Sequence, residues 1–223
     1  MPSTPRTPRP PRSRRSSTTT LLFVRHGETP TTGSVLPGRA KGLHLSDKGR
    51  AQAAAVAERI GTLAEIAAVY ASPLERARET AAPIARTAGL RVVTERGLDE
   101  CDFGEWTGRD LKELAKLPEW RTVQRYPSGF RFPAGESFAE MQSRICDTVA
   151  RLAAKHEGGT VVAVSHADPI KAAVAAAVGT HLDLFQRIVI SPCSVTVVAY
   201  DRGGPMVLTV NSTTGELGTL KAS

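Results

Sequence analysis

The sequence predicts an α/β fold: a three-layer sandwich with a mostly parallel central sheet, helices on both faces, and an antiparallel strand pair near the C-terminus. Two observations carry this expectation. Short runs rich in β-branched and apolar residues (LLFV, EIAAVYA, LRVVT and TVVAVS) alternate with longer stretches of helical period, as in a parallel sheet covered on both sides. Near the end, SVTVVAY and PMVLTVN flank the turn DRGG, which reads as two adjacent strands running in opposite directions.

The elements follow in order. LLFV, 21–24, is a buried strand. SDKGRAQAAAVAERIG is an Ala-rich helix with Ser46 as its cap and Gly61 at its end. EIAAVYA is the second strand. In SPLERARETAAPIARTAG, Ser72 sits at a cap position with Pro73 next and Glu75 three residues on, a capping-box pattern. Pro83 should kink that helix, because it removes a donor and clashes with the preceding turn. LRVVT is the third strand, and Ser137 with Glu140 forms a second capping box for the long helix that follows. TVVAVS is the next strand, and HADPIKAAVAAAVG the next helix, with Asp168 at its cap and Pro169 opening it. The stretch 101–136 fits neither period. It holds Trp106, Trp120, Tyr126, Phe130 and Phe132 among Pro and Gly residues, and reads as an insertion over the carboxyl edge of the sheet, either anchoring itself in the core or lining a pocket.

Composition limits the function classes. The 223 residues are 41% hydrophobic and 23% charged, ordinary for a soluble globular protein. The formal charge is +7, but residues 1–20 contain five Arg and no acidic residue, so 7 − 5 leaves +2 on residues 21–223. A nearly balanced body does not call for nucleic acid as a partner. No apolar run approaches the eighteen residues of a membrane span. The expectation is one domain over 21–223, preceded by a disordered basic tail too poor in apolar residues to fold. Arg14 and Arg15 are not expected to make an export signal, because only Leu21 to Val24 follow as an apolar stretch. Cys101, Cys146 and Cys193 are odd in number and widely spaced, which suits reduced thiols in a cytoplasmic protein.

In open α/β sheets ligands bind beyond the carboxyl ends of the strands. Arg25 and His26 leave the first strand, Ser72 to Arg76 follow the second, Asp99 and Glu100 come soon after the third, and His166 ends TVVAVS. All should face one crevice. Guanidinium groups bind phosphate oxygens in pairs and stay charged. A neutral imidazole can attack phosphorus and form a covalent intermediate, and a carboxyl with a raised pKa can protonate the leaving oxygen. No metal-ligand spacing appears, so neither a metal nor another cofactor is expected.

RHGET (25–29), SPLERARET (72–80), LDECDFGEWTG (98–108) and VSHAD (164–168) together resemble the signature blocks of the histidine phosphatase superfamily, also called phosphoglycerate-mutase-like. HLDLFQRIVISPCSVTVVAY resembles the ending of an actinobacterial subgroup of mostly unassigned substrates. The resemblance implies a phosphohistidine at His26, phosphoryl oxygens held by Arg25, Arg76 and His166, and Glu100 as the proton donor. It further implies substrate contacts from Thr32, where the family usually has Asn, from Ala167, where it often has Gly, and from Lys41. Glu28 and Glu105 are the nearby rivals to Glu100. His44, His156 and His181 read as structural, and Cys101 as a small buried residue.

Three functions fit this set: a phosphomonoester hydrolase of a small phosphorylated metabolite, a phosphomutase, or an inactive phosphate-binding module. Retention of nucleophile and acid together favours an enzyme, and the short stretch between DFGEWTG and Ser137 favours hydrolysis. The partner is a small phosphorylated substrate, with no nucleic acid or membrane. The sequence leaves a homodimer open.

Overall fold

The structure, a computed structural model, describes residues 18–217. Its six strands are β1 (Thr19–Arg25), β2 (Ala68–Ala71), β3 (Val92–Thr94), β4 (Thr160–Ser165), β5 (Val195–Asp201) and β6 (Gly204–Ser212), in the sheet order β3-β2-β4-β1-β5-β6. β1, β2, β3 and β4 are parallel, while β5 runs antiparallel to β1 and β6 antiparallel to β5.

Alternation along the central strands sorts the core into two halves, because successive side chains point to opposite faces. From β1 and β4, Leu21, Phe23, Val161 and Ala163 pack on one side with α5 (Phe138–Lys155) and α6 (Ala167–Ala177). Leu22, Val24, Val162 and Val164 pack on the other with α1 (Asp47–Gly61) and α2 (Glu75–Thr87). Strands buried on both faces read as continuous apolar runs, which is why LLFV and TVVAVS show no period of two. The caps at Ser46 and Ser137 form as the sequence predicts, the latter as a full capping box with Glu140.

Three boundaries differ from expectation. The first strand starts at Thr19, and this Thr is buried with its hydroxyl donating to the Ala153 carbonyl at 2.9 Å. The basic tail therefore ends before residue 19 rather than at 20, and residues 1–17 lie outside the described residues. The capping box read at Ser72 and Glu75 does not form. α2 begins only after Leu74, and no side chain caps it, because the Ser72 hydroxyl is bonded elsewhere. α6 starts at Ala167 with His166 at its cap position, which places Asp168 inside the helix and paired with Lys171. α2 continues unbroken through Pro83.

The irregular stretch 101–136 contains α3 (Leu111–Leu114), α4 (Trp120–Arg125) and short 3₁₀ turns. Phe103, Trp106, Phe130 and Phe132 join the core beside α5 and α6, with Phe132 meeting Phe103 and Phe138 edge to face. The stretch thus anchors itself through one set of aromatics and leaves the others to line a crevice.

Candidate active site

The sheet register places the two imidazoles together. Arg25 pairs with Ser165 at the ends of β1 and β4, and the His26 amide donates to the Ser165 carbonyl at 3.0 Å. The next residue on each strand is a histidine, so the rings of His26 and His166 lie 5.1 Å apart, edge on. Gly27 is required by close approach: a Cβ there would meet the Gly49 carbonyl oxygen at 2.6 Å. The absence of side chains at Gly27 and Gly49 lets the first turn of α1 press on the loop and hold it. The Gly27 amide is held in turn by the Thr80 hydroxyl of α2.

His26 is buried, and its Nδ1 lies 2.7 Å from the Gly27 carbonyl. A carbonyl only accepts, so Nδ1 carries the hydrogen and Nε2 presents a lone pair. Burial, with Arg76 and then Arg25 beside the ring, pushes the His26 pKa down to about 3. The ring is therefore neutral and nucleophilic at ordinary pH.

Arg76 is fully buried on the first turn of α2. Its Nε donates to His26 Nε2 at 3.3 Å and its Nη2 to the Gly38 carbonyl at 2.7 Å. Arg25 donates through Nη1 to the Ile190 carbonyl at 2.7 Å. Arg76 Nη1, Arg25 Nε and His166 Nδ1 are buried with no hydrogen-bond partner among the described residues. Buried polar atoms are costly unless bonded, and these three sit on the residues surrounding one imidazole. An anion with several acceptor oxygens is the ligand such a cluster accommodates.

Glu100 shares this space. Burial and then the neighbouring Asp168 raise its pKa to about 7. Its rivals are placed elsewhere: Glu28 bonds Lys48 and Gln52 of α1, and Glu105 is exposed. Burial likewise pushes the Cys101 thiol far up, which leaves it inert.

Arg25, His26 and Glu100, with Thr32 and Ala167, line a cavity of about 270 Å³, whereas Arg76 and His166 are fully buried and not among its lining residues. The Thr32 hydroxyl also accepts from the Thr29 amide at 2.8 Å. Ala167 has no positive φ, so it carries no backbone strain. Lys41 is exposed and is not among the lining residues. Across the cavity stand Leu36, Phe103, Leu111, Trp120 and Val123. Of His44, His156 and His181, none lines the cavity; His156, for example, bonds the Tyr70 hydroxyl. Among the described residues no group of three or more His, Cys, Asp or Glu could hold a metal ion, and no helix is long and apolar enough to cross a membrane.

Several contributors escape a sequence reading. Arg39 donates to the Glu100 carbonyl at 2.9 Å and to Glu136. Arg144 of α5 bonds the carbonyls of Gly97, Asp99 and Glu100 and the Glu136 carboxylate. Ser72 joins Asp99 to His166. Ser72, Asp99 and His166 were expected at one crevice, but not these bonds between them, and no signal marked Arg39 or Arg144, whose contacts with residues 97–100 span a long sequence separation.

The profile of the histidine phosphatase superfamily (branch 1) matches residues 21–213. A bifunctional protein of Mycobacterium tuberculosis is 33% identical over 197 residues, 87% of this chain and 54% of the relative. The chain thus spans about half the length of that relative. Phosphoserine phosphatase 1 of Hydrogenobacter thermophilus is 31% identical over 198 residues, 86% of this chain and 92% of its own. Among solved structures, a mycobacterial glucosyl-3-phosphoglycerate phosphatase superposes with a TM-score of 0.79 at 27% identity, covering 87% of this chain and 99% of the other.

Proposed function

From the membership of this chain in the histidine phosphatase superfamily (branch 1), we propose that it is a phosphomonoester hydrolase that acts on a small phosphorylated metabolite through a phosphohistidine at His26. The observation that carries the reading is the ring of buried, unpartnered nitrogens on Arg25, Arg76 and His166 around a neutral His26. The names of the relatives, phosphoserine phosphatase and glucosyl-3-phosphoglycerate phosphatase, agree with a phosphatase of small metabolites.

The phosphoryl group sits with its oxygens on Arg25, Arg76 and His166 and its phosphorus over His26 Nε2. The nitrogen lone pair forms the N–P bond while the P–O bond to the alcohol breaks. Glu100, neutral below its raised pKa of about 7, gives its proton to the departing oxygen. The alcohol leaves, and the Glu100 carboxylate takes a proton from water as that water attacks phosphorus and the N–P bond breaks, returning the electron pair to His26 Nε2. Inorganic phosphate forms, and His26 and Glu100 return to their starting states.

Hydrolysis is favoured over phosphoryl return to a bound sugar acid by the cations of the irregular stretch. Arg131 is exposed and paired with Glu140, Arg121 and Arg125 are exposed, and none of the three lines the cavity. None of these three guanidinium groups therefore faces the cavity to retain a substrate carboxylate between half-reactions. The test is rapid quenching with ³²P-labelled ester. The expected adduct is stable to alkali, labile to acid and located on His26; a label on Cys101 or a serine would overturn the mechanism.

A further inference from the structure

Ser72 and His166, both fully buried, and the half-buried Asp99 form a hydrogen-bonded unit to which the steps above give no role beyond the phosphoryl contact of His166. The Ser72 hydroxyl donates to Asp99 Oδ1 at 2.7 Å, lies 2.9 Å from His166 Nε2, and accepts from the Leu74 amide at 3.3 Å. A hydroxyl has one hydrogen and two lone pairs. Its hydrogen is committed to the carboxylate and one lone pair to the amide, so the other accepts a hydrogen from His166 Nε2. The neutral imidazole then has its Nδ1 bare, and that atom is buried without a partner among the described residues. A bare nitrogen repels a fully ionised phosphoryl oxygen but accepts from a P–OH group.

Resting on the phosphatase reading above, we propose that Asp99, acting through Ser72, is a positioning residue that lets His166 Nδ1 take the proton of an incoming phosphomonoester monoanion. The proton moves within the P–OH to Nδ1 hydrogen bond: the O–H bond of the phosphoryl group breaks, an N–H bond forms at Nδ1, and the dianion is left between imidazolium and the two guanidinium groups. The substrate supplies the proton, since the second ionisation of a phosphomonoester lies near pH 6.

The charges around the unit make the carboxylate necessary. His166 faces Arg76, His26, Arg25 and Arg144, and burial together with these groups holds its pKa well below the usual histidine range. Asp99 faces Ser72, Arg39, Arg144 and Arg96, and burial raises its pKa; Glu100, Asp168, Glu28 and Glu75 are the other acids that act on the guanidinium groups of Arg25 and Arg76. Without a phosphoryl group the cations keep His166 neutral. When the group enters, its negative charge and that of Asp99 act on the ring from opposite sides, and the unit as a whole gains a proton.

The experiment uses the Glu100→Gln protein, so that Glu100 contributes no proton, with methylphosphonate near pH 8 as the probe, because its dianion carries no P–OH and brings no proton of its own. Calorimetry in two buffers of different ionisation enthalpy reads the protons taken up, and ¹⁵N-histidine NMR locates them. The expected result is uptake of about one proton on binding, with His166 changing from the Nε2–H form to the doubly protonated ring. Adding Asp99→Asn should lower the uptake and weaken the phosphonate by about tenfold, as expected when a nearby negative charge is lost. A His166 that stays neutral in the phosphonate complex of the Glu100→Gln protein overturns the proposal, even where the Asp99 variant does not fold. So does an uptake that Asp99→Asn leaves unchanged. Methylphosphonate that perturbs neither imidazole, together with wild-type protein that hydrolyses no ester, overturns the phosphatase reading itself.

Discussion

His26, Arg76 and His166 stand just past parallel strands or on the first turn of the next helix, and all three are buried, with Arg76 Nη1 and His166 Nδ1 lacking a partner among the described residues. Facing His26 across the cavity it lines, Leu111, Trp120 and Val123 come from short helices in an irregular stretch and offer apolar surface. The floor is positioned by sheet hydrogen bonds, which tolerate little displacement, and its polar atoms are aimed at one point. The wall is held by aromatic packing of its neighbours Trp106 and Phe132 and can change its surface without moving the floor. Under the proposed function the difference amounts to a division of labour: the floor would select the phosphoryl group and perform the reaction, while the wall would select the alcohol attached to it.

The division breaks most clearly if a floor residue can be removed cheaply. His26→Ala should lower kcat on every ester by about 10⁴-fold or more, as expected when a nucleophile is lost; near-normal turnover would mean the nucleophile lies elsewhere. Glu100→Gln should lose roughly 10²-fold on alkyl phosphates and distinctly less on nitrophenyl phosphate, whose leaving group hardly needs a proton. Equal losses would point to another acid.

Glu100 also links the floor to stability. Its pKa is raised from 4.5 to about 7 on folding, so between those values the folded state binds more protons than the unfolded state. Stability from this group therefore falls as pH rises from about 4.5 to about 7. Glu100→Gln removes that loss and should raise Tm by several degrees at pH 8, with little gain at pH 4.5. Thermal scans at the two pH values check it, and a Tm lowered at pH 8 would show that the carboxylate is not strained by burial.

The floor was far more legible than the wall. Apolar runs ending on Arg25, on Ser72 and on His166 announce a site, because a parallel sheet places all strand ends on one edge. What the sequence did not announce were contacts made by one group at the expense of another. Ser72 looks like a cap, yet its hydroxyl is held by Asp99 and His166. Arg144 looks like any helix arginine, yet it gathers three carbonyls from residues 97–100. Thr19 and Thr20 look like the end of a polar tail, but pairing with β4 and β5 makes them strand. The wall has neither period nor motif, so its packing is settled only in three dimensions.

A smaller effect sharpens the comparison from the wall side. Trp120 is half-buried and stacks on Trp106 at 6.3 Å between ring centroids. Trp120→Ala should raise KM for aryl phosphates roughly three- to tenfold and leave kcat within about twofold, since a wall contact binds substrate and transition state alike. A kcat loss as large as that of Glu100→Gln would erase the distinction between wall and floor.

The smallest expected effect lies outside both regions, and its boundary is set by Thr19. Removing residues 1–17 takes away five arginines together with Pro, Ser and Thr and only one apolar residue, Met1, so little buried surface is at stake and kcat/KM and Tm should stay within error. Cutting instead through residue 20 removes the start of β1, where Thr19 is buried and bonded to the Ala153 carbonyl and Thr20 pairs with Thr160 and Ala199. That cut should lower Tm by several degrees, as expected for losing about 1–2 kcal/mol of hydrogen bonds and packing. It should do so without changing the ratio of kcat/KM for alkyl and nitrophenyl esters, because the carboxyl end of β1, which carries Arg25 and His26, is the opposite end of the strand. Comparing the two truncations by thermal denaturation and by that ratio separates a support role from a site role. A changed ester ratio after either cut would place part of the N-terminal segment against the wall.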